Sequence, residues 1–74
     1  MQEVTQEFID QSIEKANELY DKAVKKAKLN GTVSVTWIQQ QMRVNWYGAA
    51  YIVNRMEEEG LCGPWQREGF RVMN

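Results

Sequence analysis

Residues 33–60 read VSVTWIQQQMRVNWYGAAYIVNRMEEEG, and their pattern predicts two helices separated by a short turn. Thr36 is suited to cap a helix that continues to Met42, because its hydroxyl can accept a hydrogen bond from the first helical turn. Residues 43–45 follow as a tight turn. Apolar side chains then recur at helical spacing over residues 46–59, and a glycine ends the run. Two helices joined by a three-residue turn form a helix-turn-helix.

The residues that precede this stretch predict one long helix over residues 5–29. Neither glycine nor proline occurs there, Thr5 is a suitable N-cap, acidic residues occupy the first turns and lysines the last. Apolar residues recur at alternating spacings of four and three. They are Ile9, Ile13, Ala16, Tyr20, Ala23 and Ala27. A short β-branched segment at residues 32–34 then leads into the helix-turn-helix.

Beyond the helix-turn-helix, the sequence predicts a β-hairpin. Residues 61–65 and 70–73 are short extended segments around a turn-like stretch that ends in Gly69. We therefore predict a mainly α fold with a small β-hairpin, a winged helix-turn-helix with an extended N-terminal helix. The core is expected to contain Trp37, Ile38, Met42, Trp46, Val53 and Met56.

Charge is distributed unevenly along the 74 residues, although the formal net charge is only −1. Residues 1–21 carry six carboxylates against one lysine, for a net charge of −5. Residues 22–74 carry eight basic and four acidic side chains, for a net charge of +4. The carboxy-terminal part is therefore basic enough to attract phosphate, which supplies the sequence-independent part of DNA affinity.

Composition excludes several chemistries. There is no histidine and only one cysteine, Cys62, so a zinc site or a histidine-based catalytic triad lacks ligands and an internal disulfide cannot form. Hydrophobic residues make up 43% of the chain without any run long enough to span a bilayer, and the amino end is acidic. We expect an unprocessed cytoplasmic protein that is not an enzyme, has no catalytic residues, cofactor, metal or small-molecule substrate, and does not bind membranes.

Several short motifs together resemble the gamma domain of the FtsK/SpoIIIE DNA translocases. They are VSVTWIQ at residues 33–39, MRV at 42–44, Ala49-Ala50, Met56-Glu57 and GLCGP at 60–64. The similarity extends from about residue 18 to residue 72, so we divide the chain into an N-terminal helical extension (1–17) and a gamma-like winged-helix domain (18–74). The family's nucleotide-binding and translocation modules are missing from this sequence, which is compatible with an independent small protein and equally with a piece of a longer one.

The resemblance implies a double-stranded DNA partner, because the family's domain reads short, polar-oriented chromosomal sequences. The family typically carries Asn, Arg, Arg and Glu where this chain has Tyr47, Gly48, Tyr51 and Asn54, and two arginines in place of Gln40-Gln41. The scaffold is thus retained while the reading residues differ. A shared fold does not by itself imply a shared DNA target.

We predict a sequence-reading, double-stranded DNA-binding protein, a small regulator or accessory factor. Arginines can contact phosphate or a guanine edge, amides can pair with adenine, and tyrosines can reach phosphate or a thymine methyl group. The predicted DNA-binding residues are Thr36, Gln39, Gln40, Arg43, Asn45, Tyr47, Tyr51, Asn54, Arg55 and Arg67. For the arginines the rival interpretation is a solvated surface, and Asn45 is equally suited to a simple turn.

A second function class is a protein-interaction module on a winged-helix scaffold that has lost DNA readout. Tyr47, Tyr51 and Trp65 would then line an aromatic docking surface, since Tyr and Trp are enriched at interfaces. The N-terminal extension raises a related question, because Phe8, Ile9 and Ile13 continue the apolar stripe. They either cover the domain's own surface or pack against a protein partner or a second copy, giving a homodimer through the N-terminal helix.

Overall fold

A computed structural model describes residues 4–74, so residues 1–3 of the predicted extension lie outside the described residues. The predicted mainly α fold with a small antiparallel β element is confirmed, and its shape is that of a small winged-helix domain. The elements in chain order are α1 (Gln6–Asn30), β1 (Thr32–Val33), α2 (Val35–Met42), α3 (Trp46–Glu58) and β2 (Arg71–Val72). No helix within residues 4–74 is both long and apolar enough to cross a membrane.

The ends of α1 follow from its sequence. Thr5 has extended backbone angles and its hydroxyl accepts a hydrogen bond from the Phe8 amide at 3.1 Å, so the predicted N-cap is confirmed. At the other end Gly31 adopts φ 85° and its amide donates to the Ala27 carbonyl at 2.8 Å. A left-handed residue is favourable for glycine, which has no Cβ to clash, and the helix therefore ends there.

The start of α2 differs from the prediction. Ser34, not Thr36, is the N-cap, and its hydroxyl accepts from the Trp37 amide at 3.0 Å. Ser34 has the extended angles that an N-cap requires (φ −144°, ψ 162°), whereas Thr36 lies inside the helix with its side chain exposed. The helix begins at Val35 because the Ser34 hydroxyl already accepts the hydrogen bond of the Trp37 amide, which has no partner within the helix.

The core lies where α1, α2 and α3 meet. Ile38, Met42, Val53 and Met56 are buried as predicted, and Trp37 is partly buried against them. The assignment of Trp46 to the core was wrong, since 57% of its surface is exposed. It is the first residue of α3, and its ring lies against Tyr47 with the centres 5.6 Å apart. The buried face of α3 consists of Gly48, Ala49, Ile52, Val53 and Met56.

The β structure is less local than predicted. β2 pairs antiparallel with β1, with Thr32 opposite Val72 and Val33 opposite Arg71. The first arm of the predicted hairpin, residues 61–65, contributes only an isolated bridge between Cys62 and Met73. The arms are nevertheless joined by backbone hydrogen bonds, from the Gly63 amide to the Val72 carbonyl and further out towards the turn, each 2.9 Å long. We refer to residues 61–73 as the wing.

Candidate nucleic-acid interface

The outward face of α3 is the first place to look for DNA-reading side chains. Tyr47, Tyr51, Asn54 and Glu58 share this face by helical spacing, opposite the buried side of the helix. Asn54 and Glu58 are exposed, whereas Tyr47 and Tyr51 are half-buried. The burial of the two tyrosines arises from α1, which covers one flank of α3.

The amino-terminal half of α1 packs closely against the start of α3 at the residues that we call the α1–α3 seam: Ser12, Ala16, Asn45 and Gly48. A Cβ atom placed on Gly48 would lie 3.2 Å from the Ser12 carbonyl oxygen and 3.3 Å from the Ala16 Cβ. Such approaches are tighter than ordinary van der Waals contact. The two helices can lie this close because residues 16 and 48 are alanine and glycine.

Asn45 links the turn to both helices. Its Oδ1 accepts from the Gly48 amide at 3.0 Å, which makes it the N-cap of α3, and its Nδ2 donates to Ser12 Oγ at 2.6 Å. The Ser12 hydroxyl in turn donates to the Phe8 carbonyl at 2.8 Å. The amide that sequence reasoning assigned to DNA contact or to a simple turn therefore holds α3 against α1.

Further along the same flank, α1 takes up the polar ends of Tyr51 and Arg55. The Tyr51 hydroxyl donates to Asn17 Oδ1 at 3.1 Å, and Arg55 donates to the same oxygen at 2.6 Å. The Arg55 guanidinium also lies 4.0 Å from the centre of the Tyr20 ring, a cation–π contact. Sequence reasoning missed Asn17 and Tyr20 as partners, because contacts between side chains 34 to 38 positions apart leave no local signal.

Tyr20, Arg55 and Glu59 form a small charged network at the end of the flank. The Tyr20 hydroxyl donates to Glu59 Oε1 at 2.6 Å, and Arg55 Nε donates to Glu59 Oε2 at 3.1 Å. Burial and the bond to Glu59 raise the pKa of Tyr20 well above its usual range. The hydrogen bond from Tyr20 and, next in size, the one from Arg55 lower the pKa of Glu59. The bond to the Glu59 carboxylate in turn raises the pKa of Arg55.

The predicted contacts on α2 and in the following turn are open to solvent. Thr36, Gln40 and Arg43 are exposed, and Gln39 is half-buried. Arg43 adopts left-handed backbone angles, φ 53° and ψ 46°, which are uncommon for a residue with a side chain. This conformation ends α2 and lets the chain turn into α3.

The wing carries one predicted contact residue, Arg67, and one arginine with a structural partner that the sequence does not indicate, Arg71. Arg67 is exposed in the turn between Gln66 and Gly69, where the Gly69 amide donates to the Gln66 carbonyl at 2.9 Å. Arg71 forms an ion pair with Glu57 and thereby attaches the wing to the end of α3. Cys62 is buried, and burial raises the pKa of its thiol, so the thiol is protonated at neutral pH.

The predicted site residues thus fall into two groups. Those with exposed side chains are Thr36, Gln40, Arg43, Asn45, Asn54 and Arg67, and those that are half-buried are Gln39, Tyr47, Tyr51 and Arg55. Apart from Asn45, whose amide is bonded to Gly48 and Ser12, the first group presents a hydroxyl, amides and guanidinium groups that are suited to hydrogen bonds with phosphate oxygens and base edges. The structure brings Asn45, Tyr47, Tyr51 and Arg55 together along the α1 flank of α3.

Comparison with known proteins identifies the family. The family model of the FtsK gamma domain matches residues 14–73. The DNA translocase FtsK of Bacillus cereus is 35% identical over 63 residues, which are 85% of this chain and 8% of that protein. The DNA translocase FtsK of Sporosarcina ureae is 45% identical over 51 residues, 69% of this chain and 6% of that protein. The DNA translocase SpoIIIE of Bacillus subtilis is 33% identical over 63 residues, 85% of this chain and 8% of that protein. The chain thus spans less than a tenth of these relatives, and it belongs to the FtsK gamma domain family.

Proposed function

We propose that the chain binds double-stranded DNA and reads its sequence, without enzymatic activity, as a small regulator or accessory factor. The observation that carries the proposal is the family: the matched domain belongs to proteins named DNA translocases. In a winged helix the last helix of the helix-turn-helix enters the major groove and the wing contacts the backbone. We assign these roles to α3 and to the wing.

The exposed residues and the charge of residues 22–74 support this assignment. Asn54 is exposed on the outward face of α3, and its amide can pair with adenine. Arg43 before α3 and Arg67 in the wing are exposed cations on either side of this helix in the sequence, suited to phosphate. Thr36, Gln39 and Gln40 add short polar contacts. Tyr47, Tyr51 and Arg55 would reach DNA with the parts of their side chains that α1 leaves accessible.

Binding to mixed-sequence duplex DNA at about 50 mM and about 200 mM salt tests the proposal. We expect measurable affinity at the lower concentration and a steep loss at the higher one, because each neutralised phosphate releases counterions. Lack of binding at about 50 mM salt contradicts the proposal. Selection of bound duplexes from a random pool then tests sequence reading, for which an enriched motif is the expected outcome.

A second function is favoured by the engagement of Tyr51 and Arg55 with α1. A module whose reading side chains are held by its own helix would instead present aromatic residues to a protein, and Trp46 and Trp65 are 57% and 61% exposed. This alternative predicts a folded chain that ignores DNA and captures a protein partner from its native host, and capture that is lost in Trp65→Ala would support it. Recovery of no partner by the wild-type chain would count against it.

Self-association through α1 stays a prediction that can be tested separately. Val4 and Phe8 are 54% and 46% exposed, whereas Ile9 and Ile13 are half-buried, so only part of the apolar stripe is open to a second copy. Sedimentation at rising protein concentration measures this directly. A dimer that becomes a monomer in Phe8→Glu is the expected result, and a monomer at all concentrations would contradict it.

A further inference from the structure

A cleft lies where the amino-terminal half of α1 meets the turn between α2 and α3. Its volume is about 330 Å³, enough for a phosphate group and adjoining atoms. Two cationic side chains, Lys15 and Arg43, line it together with the amides of Gln11 and Asn45. No carboxylate lines this cleft, although α1 carries several acidic side chains.

The two cations of the cleft differ from Arg55 and Arg71 in their ion pairing. Arg55 and Arg71 each form an ion pair, with Glu59 and Glu57 respectively. Within residues 4–74 neither Lys15 nor Arg43 has a carboxylate within ion-pair distance. Within the described residues both cations are therefore free of ion pairs and can pair with an anion from solvent.

The part of the lining formed by Val44 and Asn45 is already fixed. Asn45 uses both ends of its amide, one on Gly48 and one on Ser12, and Val44 beside it is buried. A lining that is fixed before a ligand binds lowers the entropy lost on binding. The lining ends at Asn45, the N-cap residue directly before α3.

We propose that this cleft binds a phosphate group of the nucleic-acid backbone between Lys15 and Arg43. Arg43 belongs to the helix-turn-helix, whereas Lys15 lies on the helix that packs against it, so α1 takes part in binding as well as in folding. The guanidinium donates to two phosphate oxygens and the ammonium acts as a compact charge. This inference rests on the proposed DNA binding for the source of the phosphate, but the cleft can be tested without DNA.

The first test compares Lys15→Gln and Arg43→Gln with Lys22→Gln, an exposed lysine of the same helix that does not line the cleft. The slope of log K against log salt for duplex binding is negative. In each cleft variant its magnitude should fall by roughly one, which corresponds to the loss of a single phosphate contact. Lys22→Gln should leave the slope as in wild type. Circular dichroism of all three variants controls for folding. Equal slopes for Lys15→Gln and wild type, or an equal loss in Lys22→Gln, would overturn the proposal while leaving DNA binding intact.

The second test uses inorganic pyrophosphate and follows backbone amide resonances of the isotopically labelled chain. Pyrophosphate should shift the resonances of Ser12 and residues 43–45, and the shifts should disappear in Lys15→Gln and Arg43→Gln but persist in Lys22→Gln. Absence of these shifts in wild type contradicts a phosphate site. Shifts at the cleft in a chain that binds no duplex would support the site, assign it to a free phosphate compound, and reject the proposed DNA function.

Discussion

The α1–α3 seam and the wing are stabilised in different ways. At the seam, Ala16 and Gly48 are buried, and a side-chain hydrogen bond joins Asn45 to Ser12. The wing places Cys62 in the core, with Leu61 and Met73 packed against it, but its outer part is held by backbone hydrogen bonds and leaves Trp65 61% exposed. Packing and burial supply most of the stability of a small domain. We therefore expect substitutions at the seam to decide whether the chain folds, whereas exposed side chains of the wing can be replaced without unfolding it.

The largest effect is expected from the core behind the seam. Ile52 is completely buried, so Ile52→Ala removes apolar contact and leaves a cavity, at a cost of about 2–5 kcal/mol. That loss approaches the ~3–5 kcal/mol that such a small domain typically has. Urea unfolding should show a mostly unfolded variant. Val72→Thr, half-exposed in the wing, should change the unfolding free energy by only about 0.5 kcal/mol. Similar losses for both variants would remove the distinction between the two regions.

A somewhat smaller effect is expected at the close approach itself. Gly48→Leu places a branched side chain against the Ser12 carbonyl and Ala16, and overpacking of this kind costs typically about 1–3 kcal/mol. Improved helix propensity recovers less than about 1 kcal/mol, so the net change is destabilising. The matched variant Asn54→Leu, on the exposed face of the same helix, should unfold at nearly the same urea concentration as wild type. A Gly48→Leu variant as stable as wild type would mean that α1 and α3 do not pack closely at Gly48.

The cap that joins the turn to α1 should contribute less. Asn45→Ala removes both the N-cap of α3 and the bond to Ser12, at a cost of about 1 kcal/mol within a usual range of about 0.5–2 kcal/mol. Ser12→Ala removes the bond between the helices and the bond of the Ser12 hydroxyl to the Phe8 carbonyl within α1, but it keeps the N-cap of α3 and should cost less. Thermal unfolding of the two variants separates the contribution of the N-cap from that of the hydrogen bond between Asn45 and Ser12. An Asn45→Ala variant with no loss would show that its amide does not stabilise the junction.

The smallest expected effect depends on pH. Because the pKa of Glu59 is lowered from its ordinary 4.5 by Tyr20 and Arg55, its ionised form stabilises the fold above about pH 4.5. That contribution is lost as pH falls through the lower pKa of the folded chain. The melting temperatures of wild type and Glu59→Gln should differ at pH 7 and converge as the pH falls well below 4.5, the ordinary pKa of the carboxyl. A difference that does not change between pH 7 and pH 3 would contradict the assignment.

The helices could be predicted from the sequence because their signals are local. Thr5 precedes a stripe without glycine or proline, and Gly31 follows it, so both ends of α1 are encoded within a few residues. The cap of α2 was misassigned because Ser34 and Thr36 both carry a suitable hydroxyl. Only the backbone angles, extended at Ser34, distinguish them.

Pairings between distant segments could not be predicted in this way. β2 pairs with β1 across almost forty residues, and no turn residue between them indicates that register. The candidate site has the same limitation. The exposure of Arg43 and Asn54 agrees with their predicted roles, but the capture of Tyr51 and Arg55 by Asn17 depends on how α1 lies along α3. Trp46 was misassigned because it continues the apolar spacing of Ala49 and Val53, and the sequence does not show that its ring is left outside the core.

We propose that the outward face of α3, the turn before it and the wing contact duplex DNA. Titrating the labelled chain with a duplex enriched from a random pool, at about 50 mM salt, and following its amide resonances tests this proposal. We expect shifts concentrated at Arg43, Asn45, Asn54 and Arg67, with little change at Leu29 on the far end of α1. Absence of any shift, or shifts confined to the end of α1 around Leu29, would contradict it.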